Sequence, residues 1–365
     1  MECFFFSVPL YSTGGRSLDR NNLYPVALAV GGALLFGASA PAAKVLLGDV
    51  DPVVLAGLLY AGCGLGLALL SLLRRASIVR EEARLSAGDL PWLAGSAIAG
   101  GVAAPVLLMV SLQVTPAATA SLLLNFECVA TTAIAMLVFR EAVGRRVLAA
   151  IALLTLASAV LAVDLSGGFG LSLGALGVIG ACLFWGIDNN LTCNISSKDP
   201  VAIGMIKGLG AGAFSLAVGL ALNRPLPGLV AIAAALGLGA VSYGLSIALF
   251  ILASRGLGAA RTSAWFGTAP FAGALLSLLI FRGFPGWQFL ASLPLMAAGA
   301  LLLFGERHDH MHVHAPFEHE HYYTTDAHHP FKKEGSYRHR HGELRHDHPH
   351  QPDIHHRHGH EDDRR

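Results

Sequence analysis

The chain has 365 residues, of which 54% are hydrophobic and only 13% are charged, and its mean hydropathy is +0.57. Charged residues are about half as frequent as the ~25% typical of soluble domains. This composition excludes a disordered scaffold, a collagen and a disulfide-rich secreted domain, and it indicates an integral membrane protein. The formal net charge of +1 gives no sign of nucleic-acid binding. The five cysteines lie mostly in apolar runs, which predicts packed thiols rather than disulfides.

Ten apolar stretches follow one another between residues 25 and 304. Each has close to the roughly 20 residues that a membrane-spanning helix needs. Helices are the expected state, because unpaired backbone groups in lipid are too costly. We name them spans 1 to 10: 25–47, 53–73, 90–112, 115–139, 147–164, 172–193, 200–222, 228–254, 258–281 and 284–304. Residues 1–24 are predicted to be an N-terminal tail rather than a signal peptide, because they have no basic n-region.

The short loops differ in their content of Lys and Arg. Basic residues concentrate after the even-numbered spans, at Arg74, Arg75, Arg80, Arg84, Arg140, Arg145, Arg146, Lys198 and Arg255. The loops after odd-numbered spans hold almost none. Because Lys- and Arg-rich loops stay in the cytoplasm, we predict cytoplasmic termini in an inner or plasma membrane.

The chain contains an internal duplication. Residues 116–121 (PAATAS) align with residues 258–263 (GAARTS) at an offset of 142, and Asp51-Pro52 aligns with Asp199-Pro200 at an offset of 148. Each unit has five spans, and five is odd, so the second unit is inserted upside down. The predicted architecture is all-α, with ten transmembrane helices in two inverted five-helix repeats over 25–164 and 172–304. Inverted repeats are typical of secondary transporters, whose substrate site lies near the midplane.

Four motifs carry a resemblance to a known family. They are LFGASAPAAK at 35–44, TPAATASLLLNFE at 115–127, WGIDNNLT at 185–192 and GAART at 258–262. With these motifs the chain resembles the EamA-type permeases of the drug/metabolite transporter superfamily over residues 25–304. The resemblance implies a ten-helix carrier that moves small metabolites, often outward.

Charged residues inside spans are costly and are therefore candidates for function. Glu127 lies in the middle of span 4, on a stripe with Thr119, Leu123 and Thr131 at a spacing of four residues. It is either a site for a substrate amine or a proton, or one half of a structural ion pair. We place Asn125, two residues earlier, in the same candidate site.

A second polar group follows in spans 6 and 7. Asp188, Asn189 and Asn190 interrupt the apolar pattern near the predicted cytoplasmic end of span 6. They either bind a polar substrate group at the inner gate or cap the end of the helix. Lys207 lies about one third into span 7, and pairing with Glu127 or Asp188 would lower the cost of burying both charges. Lys44 and Arg261, near span ends, are expected to be interfacial.

All 17 histidines lie in the last segment, 305–365. Many alternate with other residues: His308, His310, His312, His314, His346, His348, His350, His356, His358 and His360. Imidazole is a ligand for Zn, Ni, Co and Cu, so the tract is a candidate metal-binding tail. The tail has little that could form a core and is predicted to be disordered without metal. A solvated, pH-sensitive tail is the alternative.

The sequence contains no Walker loop, no His-Glu-x-x-His and no nucleophile elbow, so we predict a transporter and not an enzyme, with no required cofactor. The favoured function is gradient-driven movement of a small polar metabolite through the bilayer. The alternatives are a divalent metal-ion carrier and a membrane-anchored metal buffer or sensor. A homodimer is compatible with each of these three functions.

Overall fold

The structure is a computed structural model. It describes residues 20–75, 85–139, 143–164, 170–195, 198–257, 262, 265–283, 285–303, 308–314, 317–320, 338–341 and 344–350. The first 19 residues of the predicted N-terminal tail lie outside this part of the chain, as do Arg80, Arg84, Arg140 and Arg261.

The first five predicted spans are helical. Span 1 consists of α1 (Arg20–Gly37) and α2 (Ser39–Leu46), and span 2 is α3 (Pro52–Arg75). Span 3 has four parts: a 3₁₀ turn (Ala87–Asp89), α4 (Leu90–Ser96), a π-helix (Ala97–Ala103) and α5 (Ala104–Val114). Span 4 is α6 (Ala117–Leu123) with α7 (Phe126–Leu137), and span 5 is α8 (Arg145–Ala162). Only Thr115 and Pro116 separate α5 from α6, so the chain turns tightly between spans 3 and 4.

The second half repeats this order after the short strands β1 (Val163–Asp164) and β2 (Gly170–Leu171), which pair antiparallel. Span 6 is α9 (Leu173–Cys193), span 7 is α10 (Pro200–Ala221), and span 8 is α11 (Leu229–Leu238), a second π-helix (Gly239–Leu245) and α12 (Ser246–Leu257). The described parts of spans 9 and 10 include α13 (Ala269–Phe281) and α14 (Trp287–Leu303).

Length and composition make this a membrane protein. In the described part of the chain, seven helical stretches are long and apolar enough to cross a bilayer, and Ala269–Phe281 and Trp287–Leu302 are shorter apolar helices. α9, with 21 residues, has the length of a span and carries the polar run of span 6.

The duplication is visible in how two equivalent helices begin. Asp51 Oδ1 accepts a hydrogen bond from the Val53 N–H at 2.9 Å, and Asp199 Oδ1 accepts one from the Val201 N–H at 2.9 Å. In each case a proline follows the aspartate at the first helical position, where its missing N–H costs nothing. The Asp-Pro motif therefore starts span 2 and span 7 in the same way.

The two π-helices are a second sign of the duplication. They occupy residues 97–103 in span 3 and 239–245 in span 8, a displacement of 142 residues. This is the offset at which the sequence of spans 4 and 9 aligns. Single-turn π segments are rare in proteins overall. Where they do occur, they often lie at functional sites. Their equal placement means that both repeats carry the same irregularity at equivalent positions of equivalent spans.

The repeats pack through equivalent helices. α3 packs on α10, and α8 packs on α14, so spans 2 and 7 and spans 5 and 10 meet their counterparts. Small residues allow the closest of these contacts: a Cβ at Gly208 would come within 2.6 Å of the Gly64 nitrogen, and one at Gly212 within 2.5 Å of the Ala61 nitrogen. Such small-residue faces are how helices approach each other in lipid. Lys207 lies next to this seam.

Four described segments of the tail are strands. β3 (His308–His314) pairs antiparallel with β6 (Leu344–His350), and β4 (Phe317–Glu320) pairs with β5 (Arg338–His341). The register sets His308 opposite His350, His310 opposite His348, and His312 opposite His346. The sequence predicted no regular structure here. The difference has a physical basis, because alternation of His with other residues has the two-residue period of a strand. His356, His358 and His360 lie outside the described residues.

Candidate functional site

Span 4 is interrupted in its middle, and Glu127 lies directly after the interruption. α6 ends at Leu123 and α7 begins at Phe126, so Glu127 is in the first turn of the second half-helix. The break is held by short-range bonds, from the Asn125 N–H to Leu122 O and from the Glu127 N–H to Leu124 O, both 3.1 Å. Discontinuous spans often form the binding sites of transporters, because a half-helix ends inside the membrane there.

Asn189 of span 6 joins span 4 at this break. Its amide nitrogen donates to Glu127 Oε1 at 2.9 Å and to Thr131 Oγ1 at 2.9 Å. Asn189 is fully buried, whereas Glu127 is partly exposed. Glu127 and Thr131 belong to the stripe at a spacing of four residues that the sequence indicated on span 4. This part of the stripe is therefore a contact surface for span 6. The two helices belong to different repeats.

Asn190 and Asn125 have structural partners. Asn190 Nδ2 donates to the carbonyl oxygens of Thr131 at 3.0 Å and Gly186 at 2.8 Å, which fixes span 6 against span 4. Asn125 is buried, and its amide nitrogen donates to Leu122 O at 3.0 Å within its own span. Asn125 therefore supports the helix break beside Glu127.

Asp188 and Lys207 form a buried ion pair. Lys207 Nζ lies 2.5 Å from Asp188 Oδ1, and the two residues are 8% and 1% exposed. Thr192 Oγ1 donates to Asp188 Oδ1 at 3.0 Å and lies 3.3 Å from Lys207 Nζ. Of the two partners that the sequence allowed for Lys207, the structure selects Asp188. The polar run at 188–190 does not cap the end of its helix, which continues to Cys193.

The first π-helix closes the site from span 3, and sequence analysis missed it. Gly100 O accepts hydrogen bonds from Tyr60 Oη at 2.5 Å and from Trp185 Nε1 at 3.1 Å. A Cβ on Gly100 would overlap the Asp188 carboxylate, so only glycine permits this approach. The Gly100-Gly101 pair in an apolar span was the available signal, because glycine in a span marks close backbone contact.

Lys44, predicted to be interfacial, caps a helix end. Its ammonium donates to the carbonyl oxygens of Leu112 and Thr115, the latter at 2.9 Å, and it contacts Gln113 O at 3.3 Å. These carbonyls close the C-terminus of α5, where a cation is favourable for the helix dipole. Lys44 therefore fixes the end of span 1 to the end of span 3.

The structure does not bring metal ligands together in the membrane. In the stretches of chain that the structure describes, no group of three or more His, Cys, Asp or Glu side chains is arranged to hold a metal ion. Asp188 is engaged by Lys207, and Glu127 by Asn189. The polar groups of the spans therefore form a hydrogen-bonding and charge-pairing site.

Comparison with known proteins assigns the chain to a protein family. The profile of the EamA-like transporter family matches residues 23–163 and again residues 172–305. The chain belongs to the EamA-like transporter family. It is accordingly a multi-pass membrane transporter and not an enzyme, with a substrate and the bilayer as partners. The family match covers both repeats and ends where the His-rich tail begins.

A relative and a solved structure agree with this family membership. The chain is 30% identical over 270 residues to an uncharacterized transporter of Methanothermobacter thermautotrophicus, which covers 68% of this chain and 77% of the relative. A solved crystal structure is 18% identical and superposes with a TM-score of 0.55 over 78% of this chain and 96% of the other. That similarity shows the fold alone.

Proposed function

We propose that this member of the EamA-like family is a gradient-driven secondary transporter that exports a small polar metabolite across the cell membrane. The family assigns transport, and the polar cluster of Glu127 and Asn189 supports a polar cargo. We propose that both termini face the cytoplasm, on the basis of the Lys and Arg asymmetry of the loops. A homodimer is a further proposal, compatible with this arrangement.

One observation carries the proposal. Glu127 comes from the middle of span 4 in the first repeat and Asn189 from the last turns of α9 in the second, and they bond directly at 2.9 Å. In transporters built from two repeats, movement of one repeat against the other exposes the site to either side. A hydrogen bond that crosses between repeats would be remade whenever the repeats move. We therefore place the substrate site at Glu127 and Asn189, with Asn125 supporting the break.

The neighbouring ion pair suits a role in coupling. Asp188 precedes Asn189 on the same helix, so it lies about 100° around α9, where it contacts Gly100 of span 3 and Lys207 of span 7. A coupling cation or proton that competes with Lys207 for Asp188 would change the packing of α9, which also holds the substrate site. We propose Asp188 and Lys207 as the coupling-ion site.

Metal binding by the tail is a separate proposal. The register of β3 and β6 sets histidines opposite one another, and imidazole binds Zn, Ni, Co and Cu. The tail would then sense or buffer metal on the cytoplasmic side. Metal as cargo is less well supported, because Asp188 is already paired with Lys207 and no histidine lies in the spans.

The test is transport by the purified full-length protein in liposomes. Amino acids and salts of Zn, Ni and Co are screened, with and without residues 305–365. Export of an amino acid that Glu127→Gln reduces at least tenfold, with insertion unchanged, supports the proposal. Flux of metal alone would establish the cargo alternative, and full activity of Glu127→Gln would remove Glu127 from the substrate site.

A further inference from the structure

The hydrogen bonds of Asn189 show which kind of group is missing from the site. Its amide carries two N–H donors, and both are used, by Glu127 Oε1 and by Thr131 Oγ1. Its carbonyl oxygen Oδ1 is buried and has no hydrogen-bond partner. A buried acceptor without a partner costs roughly 1–3 kcal/mol, so such an atom calls for a partner such as a water, an ion or a ligand. The site therefore lacks a donor.

Glu127 adds acceptors to the same place. Asn189 bonds only one of its two carboxylate oxygens, and the side chain is partly exposed. Among the described residues the ion pair of the spans joins Lys207 to Asp188, not to Glu127. An ionised carboxylate accepts hydrogen bonds and donates none. The site thus presents a carboxyl group with an oxygen atom that Asn189 does not bond, and this group is negative when it is ionised.

The duplication shows that these acceptors are confined to one side. At the offset of 142, Glu127 aligns with Ala269 and Thr131 with Gly273. Residues 35–37 (LFG) of span 1 align with 184–186 (FWG) of span 6 at an offset of 149, so at offsets of 148 to 149 Asn189 aligns with Pro41 or Ala40. All of these counterparts are apolar. Ala269 packs with Phe266 and Phe36, whose rings lie 5.5 Å apart. The position related to Glu127 by the repeat is therefore apolar and is packed among aromatic side chains, so the first repeat alone supplies this carboxyl group.

We propose, on the basis of the function proposed above, that the cargo carries an ammonium group that binds between Glu127 and the Oδ1 atom of Asn189. A primary ammonium has three N–H donors and a positive charge, which match a carboxylate and an unpartnered amide oxygen. A bare metal ion fits less well, because it requires more oxygen ligands than these two side chains supply.

The binding experiment uses the full-length protein in lipid nanodiscs and three probes with four carbon atoms each: n-butylamine, n-butanol and sodium butyrate. Thermal unfolding is followed by tryptophan fluorescence. Butylamine is expected to raise the unfolding temperature, and the other two probes are not. Glu127→Gln and Asn189→Leu should each weaken the butylamine effect at least tenfold in apparent affinity. Stabilisation by butyrate, or no response to butylamine, would overturn the ammonium assignment.

A second measurement needs no ligand. If Glu127 is an ionised binding group for a cation, its charge is uncompensated in the protein without cargo. Glu127→Gln removes that charge and should therefore raise the unfolding temperature. The matched control is Asp188→Asn, which breaks an existing ion pair and should lower it. A lower unfolding temperature for Glu127→Gln would make Glu127 structural and overturn the inference. Transport in liposomes is measured separately. Transport of a cargo without an ammonium group would contradict only the ammonium inference, whereas no transport of any cargo would contradict the proposed function.

Discussion

Lys207 of span 7 reaches Asp188 of span 6 at 2.5 Å, and both residues are shielded from solvent. The pair neutralises two charges that are each costly inside a membrane. Lys207 bonds to Asp188 and not to Glu127, so Glu127 has no ion-pair partner among the described residues. The substrate and coupling sites proposed above depend on this separation.

The ion pair predicts asymmetric effects of single and double substitutions. Asp188→Asn or Lys207→Met alone leaves one buried charge uncompensated and should cost about 3–5 kcal/mol of unfolding free energy. The double variant removes both charges and should recover a large part of this loss. Unfolding of purified protein in detergent measures the effect, as a double-mutant cycle. Strictly additive losses would show that the two residues do not interact.

Gly100 predicts a steric effect at the first π-helix. Gly100→Ala places a Cβ on the Asp188 carboxylate, so it should lower the unfolding temperature and disrupt the ion pair. Gly210→Ala is the matched control, because a Cβ at Gly210 has nothing within 4 Å. That control should be neutral or slightly stabilising, since alanine favours a helix over glycine by about 1 kcal/mol. Equal effects of the two substitutions would contradict the close approach of span 3 to span 6.

The loops predict a topology that reporter fusions can test. Fusions after Asn223 and after Gly283 should report the outside, and fusions after Arg80 and after Gly305 the cytoplasm. The reason is the concentration of Lys and Arg in the loops after even-numbered spans. An external C-terminus would contradict both the orientation and the cytoplasmic role of the tail.

The tail predicts metal binding that depends on strand register. In the full-length protein, His310→Ala and His348→Ala should each reduce Zn or Co binding, and the double variant should lose little more, because the two residues are register partners. His310→Ala with His358→Ala is the control and should be additive. Affinity should fall below about pH 6.5, where protons compete for imidazole. If the losses of metal binding from His310→Ala and His348→Ala were additive, the proposed pairing of these residues on one metal ion would be wrong. If metal binding were unchanged after removal of residues 306–365, the tail would not be the metal-binding segment.

The sequence by itself determined the membrane class, the approximate spans and the duplication. These follow from local properties, because the length of an apolar run decides whether a helix can cross a bilayer. The Asp-Pro helix starts at 51 and 199 were readable for the same reason, since capping involves only neighbouring residues. Glu127 and Lys207 were recognisable as candidates because a charge in an apolar run is costly wherever its helix packs.

Tertiary structure decided which partners these charges have. Lys207 could have reached Glu127 or Asp188. Asp188 is selected because α10 and α9 both pack against the first π-helix, which brings the two side chains together. The role of Gly100, the paired π-helices and the bond from Asn189 to Glu127 also depend on helices more than 60 residues apart in the chain. A helix can present any side to its neighbours without a change in its local sequence pattern. The contacts between helices, not the spans themselves, therefore fix the site.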